Sequence, residues 1–287
     1  MPLFNPEWSK HQMTTIHTNA GALVAQATLR NVTTSLDKVS KQIQTGYKVA
    51  DAKDDASSFA VAQGLRNNIS SLGAVQQSLS GAVGLAEVGL AGATAVSNLF
   101  QEVKAKLTQL ADTSITSTQR TTFTTDLKDL STQAKDLIKQ AKFNGTNLLN
   151  NTTAINFISD VVGSQIAITG VQVFTSASTF NASIGASVTS TLARTLLNSS
   201  SNTLDTFITA TNNALSGIAG DLRAIESQNS FVKAISDATE KGLGALVDAD
   251  LAKASSKLQA LQAQQQLSTQ AITIANQAPS VLLALFR

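Results

Sequence analysis

The apolar positions of this chain recur at helical intervals over most of its length, most strictly at its two ends. Ala22, Leu29, Leu36 and Ile43 fall in one heptad register, and Ala25, Val32, Val39 and Gly46 repeat it three residues later. Apolar residues at these two places of each heptad form a narrow stripe that a second helix must cover. The stripe predicts a coiled-coil helix of about 37 Å at 1.5 Å per residue. The far end repeats the pattern, with Leu251, Leu258, Gln265 and Ile272 in one register and Ala254, Leu261, Ser268 and Ala275 in the other. Pro279, which has no N–H to donate, is expected to end that helix. A chain that runs out and returns brings its ends together antiparallel, so the two heptad helices are expected to pair with each other.

Between them lies a longer helical body. Val61, Leu65, Ile69, Leu72, Leu79, Val83, Ala86, Leu90, Ala93, Phe100, Val103, Leu107 and Leu110 trace one face at helical spacing. Gly81, Gly84, Gly89 and Gly92 interrupt it, each at a cost of about 1 kcal/mol relative to Ala. They mark either the close approach of another helix or a local break. Thr116 and Gln119 have the spacing of a capping box. It opens a helix with Phe123, Leu127, Leu130, Ala134, Leu137 and Ala141 on one face. Phe143-Asn144-Gly145 stops that helix, because Asn-Gly favours left-handed and turn conformations.

Residues 150–203 differ. Their only charges are Asp160 and Arg194, and they are dense in Ser, Thr, Val and Ile. Ile155, Phe157, Ile166 and Ile168 alternate at period two around Asp160 and Gly163, which predicts a β-hairpin. Residues 172–202 are expected to mix short strands and loops. Helical spacing resumes at Leu204, Ile208, Leu215, Ile218, Leu222, Ile225, Val232 and Ile235. The expected fold is mainly α: a long antiparallel helical bundle or coiled coil from both chain ends, with a small β-hairpin region in the middle.

Composition narrows the function. The chain of 287 residues is 43% apolar but has one Trp, one Tyr and three Pro, which suits long helices with thin cores better than a compact enzyme. A net charge of +2 without a Lys/Arg run gives no reason to expect nucleic acid or an anionic membrane as partner. The absence of cysteine excludes disulfides and thiolate sites. No run of about 18 apolar residues is present, so no membrane insertion is expected. Residues 1–12 lack the apolar core of a secretory signal, and they do not share the heptad pattern that begins at Ala22. Residues 258–286 carry no charge at all, yet are rich in Gln, Ser, Thr and Asn, and residues 18–29 are likewise uncharged. Such a helix suits burial among several subunits, where desolvating a charge would be costly. An internal helix of a monomeric bundle is the plainer alternative.

The motifs at both ends resemble those of bacterial flagellin. Ile16-His17-Thr18-Asn19 followed by Ala22-Leu23 is similar to the family's opening I-N-T-N. The stretch from Thr45-Gly46 through Val49, Ala52, Asp54-Asp55 and Ala56 is similar to T-G-x-R-I-x-x-A-x-D-D-A. Phe143-Asn144-Gly145 with Leu148-Leu149 resembles F-N-G-x-x-L-L. Asp248-Ala249-Asp250 and Ala275-Asn276-Gln277-Ala278-Pro279 resemble D-A-D and A-N-Q-x-P, and Leu285 and Arg287 fit the family's ending. Each motif alone is weak, but five in order at both ends are specific.

The resemblance implies a structural subunit of the flagellar filament, without enzymatic activity or cofactor. It implies an inner tube, D0, from 14–46 and 247–287, preceded by the leader at 1–13, which is either a real extension or lies before a second start at Met13. D1 would comprise helices at 47–150 and 203–246, with the hairpin and a short variable insert at 151–202. The polymerisation core would be Leu29, Val32, Leu36, Val39, Ile43, Leu251, Leu258, Leu261, Ile272, Ala275 and Leu285. Gly46, Asp51, Lys53, Asp54 and Asp55 would form the D0–D1 junction. Partners implied are further copies of the chain, hook-associated junction and cap proteins, and an export chaperone, with passage unfolded through the flagellar type III channel to the cell exterior. A hook–filament junction protein shares both ends of the family and is the nearest rival. A cytoplasmic coiled-coil scaffold is a rival of another class.

Two departures stand out. Ser57-Ser58 replaces the usual Ala-Gly. Phe100-Gln101-Glu102-Val103-Lys104-Ala105-Lys106-Leu107 has Glu102 and Ala105 where the family's L-Q-R-x-R-E-L, recognised by vertebrate innate-immune receptors, has Arg and Glu. Weak or absent receptor activation is expected. Asp51, Asp54 and Asp55 have no histidine beside them, so a structural role at a helix start is favoured over catalysis or metal binding. His11 and His17 do not form H-E-x-x-H.

Overall fold

The computed structural model describes residues 18–198 and 202–285, with side chains up to Gln277 at the C-terminal end. The leader at 1–13, the Ile16-His17 part of the opening motif, the side chain of Leu285 and Arg287 lie outside the described residues. Among the described residues there are seven helices and two strands, in the order α1 (Ala20–Thr45), α2 (Ala56–Ala111), α3 (Ser117–Gln140), β1 (Ala154–Ile158), β2 (Gln165–Thr169), α4 (Val173–Ser183), α5 (Ser190–Asn198), α6 (Thr203–Val247) and α7 (Leu251–Leu285). The chain divides into two compact units, one built from both chain ends, up to Leu65 and from Lys241 onward, the other from Arg66–Glu240.

In the second unit α2, α3, α6 and the short elements share one core. Leu79, Leu107 and Leu110 of α2, Leu127 and Ile138 of α3, and Phe207 and Ile218 of α6 are fully buried in it. Phe207 meets Phe100 edge-on at 4.9 Å and lies 6.1 Å from Phe180 of α4. The expected capping box opens α3, with Thr116 and Gln119 each bonding the other's backbone N–H. Arg120 closes the preceding helix. Its guanidinium donates to the Leu110 and Asp112 carbonyls at 2.8 Å and to the Val188 carbonyl at 3.2 Å, supplying donors that the last turn of a helix lacks.

The glycine stretch does not break α2. A Cβ on Gly84 would stand 3.0 Å from the Phe143 ring, one on Gly89 3.0 Å from Leu148, and one on Gly92 2.6 Å from the Ala141 Cβ. These three glycines form a groove in which the Phe143–Leu149 turn sits. Asn144 and Gly145 have φ of 48° and 82°, and Phe143 and Thr146 exchange hydrogen bonds of 2.9 Å across them. Asn147 then donates to the Ile138 carbonyl at 2.6 Å and accepts from the Leu149 N–H at 2.8 Å. That turn drives Leu148 and Leu149 into the core. Gly81 has nothing within 4 Å and plays no part in the groove.

The hairpin forms as expected, antiparallel, with Ile155 opposite Ile168 and Phe157 opposite Ile166. Asp160 holds its turn by accepting from the Val162 and Ser164 N–H groups, and Gly163 takes φ 90°. The next segment departs from expectation: residues 172–202 hold two helices, α4 and α5, rather than short strands and loops. Val173, Ala177, Phe180 and Ile184 are spaced for one helical face and are fully buried. The Ser and Thr residues that suggested strands instead bond carbonyls one turn back, as Thr179 does to Thr175 and Thr195 to Thr191.

One further expectation is corrected. Helix α7 does not stop at Pro279 but continues to Leu285. The carbonyl that the proline cannot serve, that of Ala275, takes a donor from another helix, Asn19 Nδ2 at 2.7 Å. Helix α2 is long and apolar enough to pass for a membrane span, with a mean hydropathy of 1.5 over 18 residues. Its Ala, Gly and Leu residues raise that mean without forming a continuous apolar run, and its apolar side belongs to the core, where Leu79, Ala82 and Ala86 are fully buried.

The groove predicts opposite outcomes for two like substitutions. Gly81→Ala is expected to raise the stability of the chain by about 1 kcal/mol through helix propensity. Gly92→Ala is expected to lower it by about 1–3 kcal/mol through overpacking against Ala141. Urea unfolding measures both, and shifts of the same sign would rule out the groove.

Candidate functional site: the paired chain ends and their junction

Helix α1 begins where the Asn19 side chain accepts from the Ala22 N–H at 3.0 Å, and ends where Gly46 takes a left-handed φ of 74° and donates to the Gln42 carbonyl. A residue with a Cβ would be strained there. The Gly46 carbonyl accepts from the Ala249 N–H at 2.9 Å, and the Lys48 N–H donates to the Val247 carbonyl at 2.7 Å. The two connectors are therefore joined backbone to backbone, with Tyr47 opposite Asp248 in an antiparallel bridge. Asp250 accepts from the Lys253 N–H at 3.0 Å and opens α7. Asn19 meets Ala275 at one end and Gly46 meets Ala249 at the other, so α1 and α7 run antiparallel, as expected.

The seam follows the heptads. Along α1 Ala22, Ala25, Leu29, Val32, Leu36, Val39 and Ile43 are buried or half-buried, as are Thr33, Ser35, Ser40, Lys41 and Gln42 beside them, and along α7 the least exposed described positions are Ala254, Leu258, Leu261, Gln265, Ser268, Ile272 and Ala275. Val32, Val39, Ala254 and Leu261 are buried, with Leu36, Ile43 and Leu258 packed against them. Leu29, Ile272 and Ala275 are half-buried along the same stripe. Leu251 is not brought into the seam: it is 49% exposed, because it starts α7 at the point where α1 has already ended.

The outward faces of the pair matter as much as the seam. Leu23, Val24, Leu267 and Ile274 are 55%, 68%, 63% and 68% exposed. They stand among Gln, Ser and Thr in stretches without charge. Many hydroxyls there already have acceptors within their own helix, as Thr28 has in Val24, Thr33 in Leu29 and Thr273 in Thr269. A hydroxyl so satisfied costs less to remove from water than a free one.

At the junction the carboxylates divide their tasks. Asp55 accepts from the Ser57 N–H at 3.0 Å, the Ser58 N–H at 3.2 Å and the Ser58 hydroxyl at 2.7 Å, and so caps α2. The departure at Ser58 thus adds a bond to the cap. Asp51 accepts from the Lys53 and Asp54 N–H groups, and Asp54 from those of Ala50 and Asp51. Both carboxylates pair with Lys41, which touches Asp51 and lies 3.2 Å from Asp54. The Lys53 side chain itself is exposed. Beside this network, Val49, Ala62 and Val247 are buried together, with Phe59, Leu243 and Leu246 packed around them. Among the described residues no group of His, Cys, Asp or Glu is placed to hold a metal ion.

Sequence reasoning missed Lys41 as a partner and Val247 as part of the junction core. Lys41 is ten residues from Asp51, and only the reversal at Gly46 brings them together. Lys41 also belongs to no motif, so periodicity carried no signal of it.

The ionisation of the junction follows from these contacts. The Lys41 hydrogen bond, and then the Lys53 N–H, hold Asp51 below its ordinary value. Desolvation opposes ionisation of Asp54, but Lys41 and the Ala50 and Asp51 N–H groups outweigh it and lower it too. The Ser58 hydroxyl and N–H lower Asp55, and Lys41 is raised by Asp51 and Asp54. Lowered carboxylates contribute fully above their unfolded value of 3.8 and lose that contribution as pH falls through and below it. Raised Lys41 contributes below 10.5 and loses its contribution only above that value. Acidification from about pH 6 to about pH 3 is therefore expected to lower the protection factors of the amides in residues 46–58, each taken relative to the intrinsic exchange rate at that pH. Lys41→Met should weaken the Asp51 and Asp54 part while leaving the Asp55 cap intact. Unchanged protection factors across that pH range would contradict the network.

Both ends of the chain are similar in sequence to known proteins. Residues 16–154 match the family model described as the bacterial flagellin N-terminal helical region, and residues 201–286 match the bacterial flagellin C-terminal helical region. The chain is 34% identical to flagellin FljK of Caulobacter vibrioides, over 96% of this chain and 99% of that one. It is 32% identical to flagellin FljM of the same organism over the same shares. It is 30% identical to a flagellin of Brucella melitensis, over 96% of this chain and all of that one. The solved structure of Bacillus cereus flagellin aligns with 59% of this chain and 88% of its own at 16% identity, with a TM-score of 0.33, too low to bear on the fold.

Proposed function

This chain belongs to the bacterial flagellin family, and from that premise we propose that it polymerises through its paired ends into the flagellar filament that drives motility. It is a structural protein, not an enzyme. The observation that carries the reading is the outward face of the α1–α7 pair, which is apolar at Leu23, Val24, Leu267 and Ile274 and free of charge across 258–286. One pair of such helices leaves that surface in water. A helical array of copies buries it, through a heterologous contact that does not close into a ring.

In this reading the α1–α7 pair is the inner D0 layer, with 14–46 and 247–287 as its two strands of chain. The helices in 47–150 and 203–246 with the hairpin make D1, and 151–202 is the short outer insert. The polymerisation residues are those of the seam, from Leu29 to Ile43 and from Leu258 to Ala275, together with Leu251 and Leu285, which would meet other copies. Gly46, Asp51, Lys53, Asp54 and Asp55 form the D0–D1 junction. The chain leaves the cell unfolded through the flagellar type III channel, held beforehand by an export chaperone, and meets junction and cap proteins at the filament ends. A seam with Gln265 and Ser268 in it is weak alone, which suits segments that order on incorporation.

Assembly and intrachain packing give different expectations at Ile274, which is exposed in the single chain. Ile274→Glu is expected to raise the critical concentration for polymerisation at least about tenfold, or about 1.4 kcal/mol, while leaving thermal unfolding of the Arg66–Glu240 unit unchanged. Electron microscopy and sedimentation of the purified protein measure this. Failure of the unaltered chain to extend into long fibres would favour a hook–filament junction protein instead. Glu102 and Ala105 are exposed on α2, and the unassembled chain is expected to activate a vertebrate flagellin receptor weakly in a reporter assay. Potent activation would refute that expectation.

A further inference from the structure

We propose that Asn19 is a positioning residue shared by both terminal helices: it caps α1 and supplies to α7 the hydrogen bond that Pro279 withholds, so that α7 continues past its proline only while α1 lies beside it in register. In an α-helix each carbonyl accepts from the N–H four residues on. For Ala275 that residue is Pro279, which has none. The Ala275 carbonyl instead accepts from Asn19 Nδ2 at 2.7 Å, while Oδ1 of the same side chain accepts from the Ala22 N–H at 3.0 Å. The two neighbours of the amide are one acceptor and one donor, so its orientation is set by its surroundings. Flipping it would put donor against donor and acceptor against acceptor.

The residue type follows from this double task. Ser and Asp cap helices about as well as Asn, but neither brings an amide donor to the second helix. Gly21 lies at this contact, where a Cβ on it would stand 3.9 Å from the Ala275 Cβ, in ordinary van der Waals contact. The bond also selects a register. A seam repeating every seven residues tolerates a slip of one heptad, which moves a residue about 10.5 Å along the axis. Such a slip carries Asn19 away from the carbonyl that needs it. The junction at Gly46 and Ala249 holds one end of the pair, and Asn19 with Pro279 holds the other. This ties the chain's opening motif to its A-N-Q-x-P motif by a physical link. The clip is a property of the pair, and only its effect on the filament rests on the assembly reading above.

A double-substitution cycle on the full chain tests it, comparing unaltered protein, Asn19→Ser, Pro279→Ala and the double variant as filaments. The readout is hydrogen exchange of the amides at 280–285. Asn19→Ser keeps a cap and replaces the amide donor by a hydroxyl on a shorter side chain, and is expected to speed exchange about fivefold to tenfold. Pro279→Ala restores an N–H to the Ala275 carbonyl, so in that background Asn19→Ser should change exchange less than about twofold. An equal effect in both backgrounds, or none in either, overturns the clip. If Asn19→Ser alone fails to assemble, assembly of the double variant supports the proposal and its failure overturns it. If the unaltered chain forms no filament, the filament reading falls separately. The same cycle is then read on the unassembled chain, where equal exchange in all four proteins overturns the clip.

Discussion

The structure depends on the backbone pairing that joins the two connectors, Gly46–Val49 on one side and Val247–Ala249 on the other. Gly46 leaves α1 in a left-handed conformation, which frees its carbonyl to accept from Ala249. Once these segments are joined, α1 and α7 must run antiparallel and their stripes must face each other. The same reversal carries Lys41 to Asp51 and Asp54, and Val49 against Ala62 and Val247. The ion pairs are exposed and individually weak. The carboxylates matter chiefly as acceptors for backbone N–H groups that the turn before α2 would otherwise leave to water.

The two compact units meet the demands of burial differently. Residues 66–240 enclose a large core in which Phe207 meets both Phe100 and Phe180 and many side chains are fully withdrawn from water. The paired ends bury four side chains along a narrow seam and leave apolar residues on their outer faces. Hydrophobic stabilisation scales with apolar area removed from water, so the first draws more stabilisation from its own core than the second does. The hydroxyls bonded within α1 and α7, and the missing charges, reduce what such burial costs.

Glycine has two distinct roles. At Gly46 and Gly145 it permits a backbone conformation, whereas at Gly84, Gly89 and Gly92 it makes room. The groove in α2 receives Phe143, Leu148 and Leu149, so the Phe143-Asn144-Gly145 motif is a knob shaped to a socket one helix away. The turn conformation, the Asn147 bonds and the groove are parts of one contact.

The pattern of apolar positions by itself determined that both ends are heptad helices, where α2, α3 and α6 run, that Asn144-Gly145 turns the chain, and that Ile155–Ile168 form a hairpin. These are local properties, set by period, capping chemistry and conformational preference. It did not reveal α4 and α5, because Ser and Thr have poor helix propensity, and only packing of Val173, Ala177 and Phe180 into a shared core overrides it. Nor could it decide between close approach and a break at the α2 glycines, since that depends on what lies opposite. The continuation of α7 past Pro279 is the clearest case. A proline ends a helix when its lost hydrogen bond goes unreplaced, and the replacement here comes from Asn19, at the other end of the chain. Sequence determined which groups lacked partners; the tertiary structure decided which of them found one, because only folding brings distant donors and acceptors within bonding distance.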